Sequence, residues 1–344
     1  MSEVSKKELR TIIEKHINAE SLDEIPEIRN FNLSKCSDLS ELFKNMKNLK
    51  NISVLSSWDV SNVSNISCLF DSCESLQDIS PLSHWDITSV IDLSGLFYQC
   101  KSIKDISPLS SWNTSNITDM SYLFGYSESL QDISGLYSWN ISNVLNMSSV
   151  FSHCINLSDI SPISHWNVSN VTNISRLFSN CESLNDISPI AYWNVSNVLN
   201  MSSMFCHCIN LSDISPLFSW DVSKVISMSS MFSHCESLLN LSGLSSWNVS
   251  NVVNFGSMFC KCSSLSNLSE ISHWNVSRGV IYDYMFDSCR NLSDISTLYY
   301  WDISRGISFK RMFCETQATS SMINWDMSCA LTVENMFGKI PEQK

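Results

Sequence analysis

The sequence predicts a solenoid of 27-residue coils, with a short-stranded parallel β-sheet on one face and short helical turns on the other. Two aromatic columns carry that prediction. Trp58, Trp85, Trp112, Trp139, Trp166, Trp193, Trp220, Trp247, Trp274 and Trp301 recur every 27 residues. Twelve residues after each stands a phenylalanine, from Phe70 and Phe97 through Phe205 to Phe313. The register reaches both ends: Phe31 replaces Trp twelve residues before Phe43, and Trp325, arriving after 24, is followed by Phe337. A fixed period of about 20 to 50 residues marks stacked repeats. A single coil cannot bury its apolar face, whereas stacked coils bury a continuous core.

Counted as offsets from the Trp, the units read W-[DN]-V-S-N-V-x-N-M-S-x-M-F-x-x-C-x-x-L-x-D-I-S-P-L. In the unit from Trp193 the apolar positions are Val195, Val198, Met201, Met204, Phe205, Cys208, Leu211, Ile214 and Leu217. A spacing near three fits neither an α-helix nor a long strand. It fits short segments that each send one residue inward and then turn. The L-x-D-I-S run at offsets 18 to 22 reads as a short strand. It must end at the proline column of Pro81, Pro108, Pro162, Pro189 and Pro216, because each proline would delete a ladder hydrogen bond. The S-x-M-F-x-x-C run at offsets 9 to 15 opens with a serine in most units, an N-cap signal, and reads as one or two helical turns. The W-[DN]-V-S corner carries the side-chain turn chemistry of Asx and Ser/Thr residues.

At the N-terminus Ser5-Lys6-Lys7-Glu8 is a capping box, followed by Leu9, Ile12, Ile13 and Ile17 at helical spacing. A helix from about Lys6 to His16 should therefore cover the first coil. The expected organisation is residues 1–28 as helical cap and linker, 29–338 as a twelve-coil solenoid and 339–344 as a tail. A hydrophobic content of 44% supports a core, and a net charge of −13 argues against nucleic acid and acidic membrane surfaces. No stretch approaches the length of a transmembrane helix, and the charged N-terminus lacks a secretory apolar region. The expectation is an intracellular protein, with the cell surface by a non-standard route as the alternative.

These units resemble the BspA-like leucine-rich repeat surface proteins, in the variant that reads W-[DN]-x-S-x-V-x-x-M-x-x-M-F-x-x-C-x-x-L. Here the motif stands as WNVSNVLNMSSMFCHCINL from Trp193 and WDVSKVISMSSMFSHCESL from Trp220. The resemblance spans roughly Phe31 to Phe337. It implies a leucine-rich-repeat-like solenoid that binds other macromolecules, often at a cell surface.

Candidate chemistry is sparse. Of 14 cysteines, Cys73, Cys100, Cys154, Cys181, Cys208, Cys235, Cys262 and Cys289 share offset 15, with Ser127 filling the same slot once. A column at one position is what packing produces, so reduced, buried thiols are expected. Asp78, Asp105, Asp132, Asp159, Asp186 and Asp213 share offset 20. Stacked carboxylates repel one another. They need backbone or serine donors, or a bound cation, and the turn-forming role is favoured over a calcium stripe. His153-Cys154, His207-Cys208 and His234-Cys235 bring the ligand types of zinc, but the cysteine column continues where the histidine is absent, so no metal and no cofactor is expected. With eight glycines and no phosphate-loop, dinucleotide or serine-hydrolase motif, no catalytic residue is assigned.

The late units break pattern with Arg278, Arg290, Arg305, Lys310 and Arg311, a basic island on an acidic chain. It is the candidate docking site for a protein partner, whose identity and stoichiometry the sequence leaves open. The function expected is a non-enzymatic protein-interaction scaffold. A surface adhesin or carbohydrate binder is the alternative, and a polysaccharide-active solenoid enzyme a second one.

Overall fold

The computed structural model describes residues 5–29, 31, 33 and 36–338, so the expected tail at 339–344 lies outside the described residues. The chain divides into two compact units, Met1–Asn170 and Val171–Lys344. Both are built from the same coil.

Within each unit, adjacent coils meet in parallel pairs at offset 7. In the first unit Asn65 pairs with Asp92, Asp92 with Asp119 and Asp119 with Asn146. In the second the series runs from Asn173 through Asn200, Ser227, Asn254, Ile281 and Ser308 to Thr332. The pairing continues along the S-x-M-F-x-x-C run. The N–H groups of Leu93, Gly95, Phe97 and Gln99 donate to the carbonyls of Asp119, Ser121, Leu123 and Gly125 in the next coil. The intervening residues bond within their own coil: Leu96, Tyr98 and Cys100 donate to the carbonyls of Leu93, Gly95 and Phe97. Consecutive turns thus alternate with coil-to-coil bonds, and each backbone donor of the run has a partner.

This places the two element types differently along the unit from the sequence expectation, within the same solenoid class. The offset 9 to 15 run is not helical, because every fourth residue in it is left-handed. Ser72, Tyr126, His153, His207 and His234, all at offset 14, have φ of 61–62°. Left-handed residues cost about 1–2 kcal/mol each and cannot belong to an α-helix. Coil-to-coil hydrogen bonds override the N-cap signal of the serine, whose N–H instead bonds a side chain two residues back. The helical turns lie further on, as short 3₁₀ segments such as Ser80–Leu82, Ser188–Ile190 and Ser215–Ser219. Their second residue is often the proline, which suits a first helical turn. Of the expected strand at offsets 18 to 22, the parallel pair Asp105 with Asp132 is formed.

Three corners bend the coil, and in most coils each is an Asx turn, offset 7 being the corner at which Ser227, Ile281 and Ser308 replace the Asx residue. At offset 1, Asp59 Oδ1 accepts from the Ser61 N–H at 3.1 Å; at offset 7, Asn65 Oδ1 accepts from Ser67 at 2.9 Å; at offset 20, Asp78 Oδ1 accepts from Ser80 at 2.8 Å. A carboxylate or amide oxygen that mimics a backbone carbonyl lets the chain turn without glycine.

The interior is columnar. Phe43, Phe70, Phe97, Phe124 and Phe151 stack in the first unit with centroids 5.5–6.0 Å apart. In the second unit Phe178, Phe205 and Phe232 stack at 5.9 and 5.7 Å. The indole and thiol columns are pinned as well as packed. Trp220 Nε1 donates to the Ile190 carbonyl at 3.1 Å, and Cys235 Sγ to the Phe205 carbonyl at 3.1 Å, each from one coil to its neighbour. Ser127 Oγ makes the equivalent bond to Phe97, which explains why serine substitutes in that column.

At the open end of the first unit lies α1, Lys6–Lys15, with both bonds of the Ser5/Glu8 capping box formed and Leu9 and Ile13 buried. The first coil has no predecessor to bond the carbonyls of its turn run. Arg10 Nη1 takes that role for Leu42 at 2.9 Å and Lys44 at 3.3 Å, while Lys6 Nζ bonds Asp38 at 2.8 Å.

Candidate interaction surface

The basic island of the sequence falls into three places. Arg278 and Arg305 share offset 4 on adjacent coils, both exposed, with Arg278 Nη1 reaching back to Asn251 Oδ1 at 2.6 Å. Lys224 occupies the same column two coils earlier and reaches Asn197 Oδ1 at 2.6 Å. Arg290 lies at another corner, on a cleft of about 300 Å³ with Glu236, Lys261, Ser263 and Ser288. Lys310 pairs with Glu334 at 3.2 Å. Arg311 pairs with Asp287 at 3.2 Å and lies over the Tyr284 ring at 5.7 Å. Burial pushes the Asp287 carboxyl upward, although Arg311 opposes it. Lys310 and Arg311 are thus committed to ion pairs, while Arg278, Arg290 and Arg305 take part in no ion pair among the described residues.

A feature not read from the sequence lies two residues from the Arg278/Arg305 column. At offset 6 the second unit carries Leu199, Ile226, Val253, Val280, Ile307 and Leu331 on successive coils. Their backbones are chained, since each N–H from Ile226 to Leu331 donates to the offset 6 carbonyl of the coil before, at 2.8–2.9 Å. Their side chains point outward: Ile226 is 49% exposed and Leu331 84%. The sequence carries this signal as aliphatic residues at 27-residue spacing, interrupted across the chain by Ser64, Thr118 and Thr172.

The six aspartates at offset 20 are exposed, and each has Oδ1 accepting from the serine N–H two residues on, as in Asp186 to Ser188 at 2.8 Å and Asp213 to Ser215 at 2.8 Å. Of the His-Cys pairs, Cys208 and Cys235 face the core and donate to the Phe178 and Phe205 carbonyls. His207 and His234 face outward, with rings stacked at 3.8 Å. In the first unit Tyr98 and Tyr122 meet edge to face at 5.8 Å, beside a cleft of about 310 Å³ that Cys68, Asp71, Ser94, Gly95 and Ser121 complete. Among the described residues no helix is long and apolar enough to cross a membrane.

Among solved structures, a leucine-rich cell surface protein from Faecalibacterium prausnitzii A2-165 is similar at 18% identity over 82% of this chain and 77% of that one, with a TM-score of 0.43. A leucine-rich repeat protein from Bacteroides ovatus ATCC 8483 is similar at 14% identity over 81% and 76%, with a TM-score of 0.28. Internalin C2 from Listeria monocytogenes is similar at 11% over 85% and 73%, with a TM-score of 0.14. No curated protein matches. The family model described as "Mycoplasma protein of unknown function, DUF285" matches residues 12–134, 93–209, 131–240 and 238–344. With nearly the whole chain matched, and a coil whose motif is that of the BspA-like repeats, the protein belongs to this family.

Proposed function

We propose that the chain is a non-enzymatic interaction scaffold whose second unit holds an acidic, partly apolar segment of a protein partner along the Leu199 to Leu331 stripe. The observation that carries this reading is the adjacency of an exposed aliphatic column and a cationic column, Lys224, Arg278 and Arg305, on a chain of net charge −13. Leu199, Ile226, Ile307 and Leu331 are exposed and Val253 and Val280 half-buried, so covering the column repays burial at about 25 cal/mol per Å². The flanking cations select a partner of opposite sign and speed its approach. Residues 1–28 as a cap and 29–338 as the array belong to the same proposal, supported by the bonds of Arg10 to the first coil.

The test is binding of synthetic peptides that alternate aspartate or glutamate with leucine or valine, measured by fluorescence anisotropy. Wild type should bind the acidic peptides, more weakly as salt rises, and ignore lysine-substituted versions. Arg278→Glu/Arg305→Glu and Ile226→Asp should each reduce affinity tenfold or more without altering the melting curve. Equal binding by these variants would refute the assignment of this face.

The adhesin reading has one observation of its own, the Tyr98/Tyr122 cleft, since aromatic rings beside a carboxylate suit a sugar ring. Retention on a glycan array by wild type, lost in Tyr98→Ala, would favour it.

A further inference from the structure

We propose that Cys206, His207 and His234 form a binding site for a late first-row transition-metal ion of the zinc type, joining two adjacent coils of the second unit. Among the described residues this is the one cluster in which three histidine, cysteine or carboxylate ligand atoms come within 4.8 Å of one another. All three side chains are half-buried at the surface, away from the core thiol column. Cys206 is separate from that column. It stands at offset 13, where the flanking coils have Ser179 and Ser233, so packing of the offset 15 thiols does not account for it.

The donor set is apt. One thiolate and two imidazoles suit zinc or copper(I) rather than calcium or magnesium, which take oxygen ligands. Three protein ligands leave the fourth tetrahedral position open to water or to a donor from a partner. Ser233 Oγ lies 2.9 Å from His234 Nδ1 and fixes that ring from behind, as outer-shell hydrogen bonds do at metal sites. That leaves His234 Nε2 as the ligating atom. Metal binding must release the Cys206 thiol proton, because the thiolate is the ligand. Lys261 opposes a cation here, and Glu182 and Glu236, which act on His207 in the opposite sense, offset it.

Two adjustments are required. Zinc–sulfur and zinc–nitrogen bonds of about 2.3 and 2.0–2.1 Å bring ligand atoms to roughly 3.3–3.6 Å of each other, so from separations within 4.8 Å the cluster contracts by at most about 1 Å. The His207 ring, stacked 16° from parallel on His234, must also turn about Cβ–Cγ so that both imidazoles aim at one point. Half-exposed side chains on a fixed backbone make both movements without disturbing the Phe205 or Phe232 stack.

Cobalt(II) is the spectroscopic probe and zinc the competitor, added to the full chain carrying Cys329→Ser, which removes the exposed thiol. The expected result is one equivalent of cobalt with a thiolate charge-transfer band in the near ultraviolet, displaced by zinc. Cys206→Ala and His234→Gln should each lose the band and weaken binding at least tenfold, with unchanged metal-free melting. Should either variant fold poorly, the parent protein still decides the matter: zinc must protect Cys206 from alkylation, located by peptide mass spectrometry. No band, a band that survives in folded Cys206→Ala or His234→Gln, or unprotected Cys206 under saturating zinc would each overturn the site.

Discussion

Arg10 Nη1 donates to the Leu42 carbonyl at 2.9 Å, standing where interior coils present a backbone N–H of the preceding coil. One guanidinium thereby closes part of an edge that would otherwise be left with unsatisfied acceptors. Replacing Arg10 with Met keeps the stem over the coil and removes the donors. The expected cost is about 1–3 kcal/mol, the penalty of leaving half-buried acceptors without partners. Urea denaturation measures it, and an unchanged midpoint would show that water serves those carbonyls equally well.

Phe205 is fully buried between Phe178 and Phe232. Phe205→Ala should cost about 3–5 kcal/mol, as large-to-small core changes do. The same change at Phe337, whose ring has one stacked neighbour, Phe313, should cost less. Equal losses at the two positions would contradict a core whose energy comes from neighbours on both sides.

Thiol labelling gives a third check. All 14 cysteines are free, and the eight of the offset 15 column are buried. Burial pushes the column thiols far up, and Cys260 to about 11, so their thiolates are scarce at neutral pH. A maleimide should label Cys329 first in the folded protein and all 14 after unfolding. Rapid labelling of Cys235 in native buffer would mean that the coil opens locally far more often than its packing implies.

The Asx corners predict a definite acid response. At offset 1, hydrogen bonds from the hydroxyl and N–H of the residue two on hold Asp59, Asp86, Asp221, Asp302 and Asp326 below the usual carboxylate range. A depressed folded-state value stabilises above the unfolded value near 4 and is lost as pH falls through the folded one. Asn occupies the same corner at Asn113, Asn140, Asn167, Asn194, Asn248 and Asn275 without titrating. Converting the five aspartates to asparagine should leave stability near pH 7 little changed and flatten its decline between about pH 5 and 2. An undiminished acid slope would place the sensitive groups elsewhere.

What was legible in the sequence is what repeats. The Trp, Phe and Cys columns read as core because each recurs at one position, and the [DN]-x-S corners read as turns because that chemistry is local. The offset 9 to 15 run was not legible. Its left-handed residues include Tyr122, Tyr126 and Arg176, types that do not announce such a conformation, and they adopt it because neighbouring coils bond to them. The cluster at Cys206 was illegible for the same reason. Whether offset 13 or offset 15 shares a face with His234 depends on the left-handed turn at offset 14, which the repeat pattern does not display. The basic residues form an island in the sequence, but three corners of the coil distribute them over three places.

The alternating bonds of the turn run restrict how such a chain can change its length. Inserting one residue between Met201 and Cys208 would shift every donor against its carbonyl on the neighbouring coil, and the left-handed positions would fall on the wrong residues. Removing or adding a whole coil leaves every bond as it was. The short unit from Trp301 to Trp325 obeys the same rule: its pairing from Phe309 to Glu315 is intact, and the three missing residues fall beyond it, so the 3₁₀ segment Ser320–Met322 comes early. Lineages carrying this fold should therefore differ by quanta of 27 residues, with smaller insertions confined to the stretch after the cysteine, and the reach of the surface available to a partner would be altered in steps of one coil.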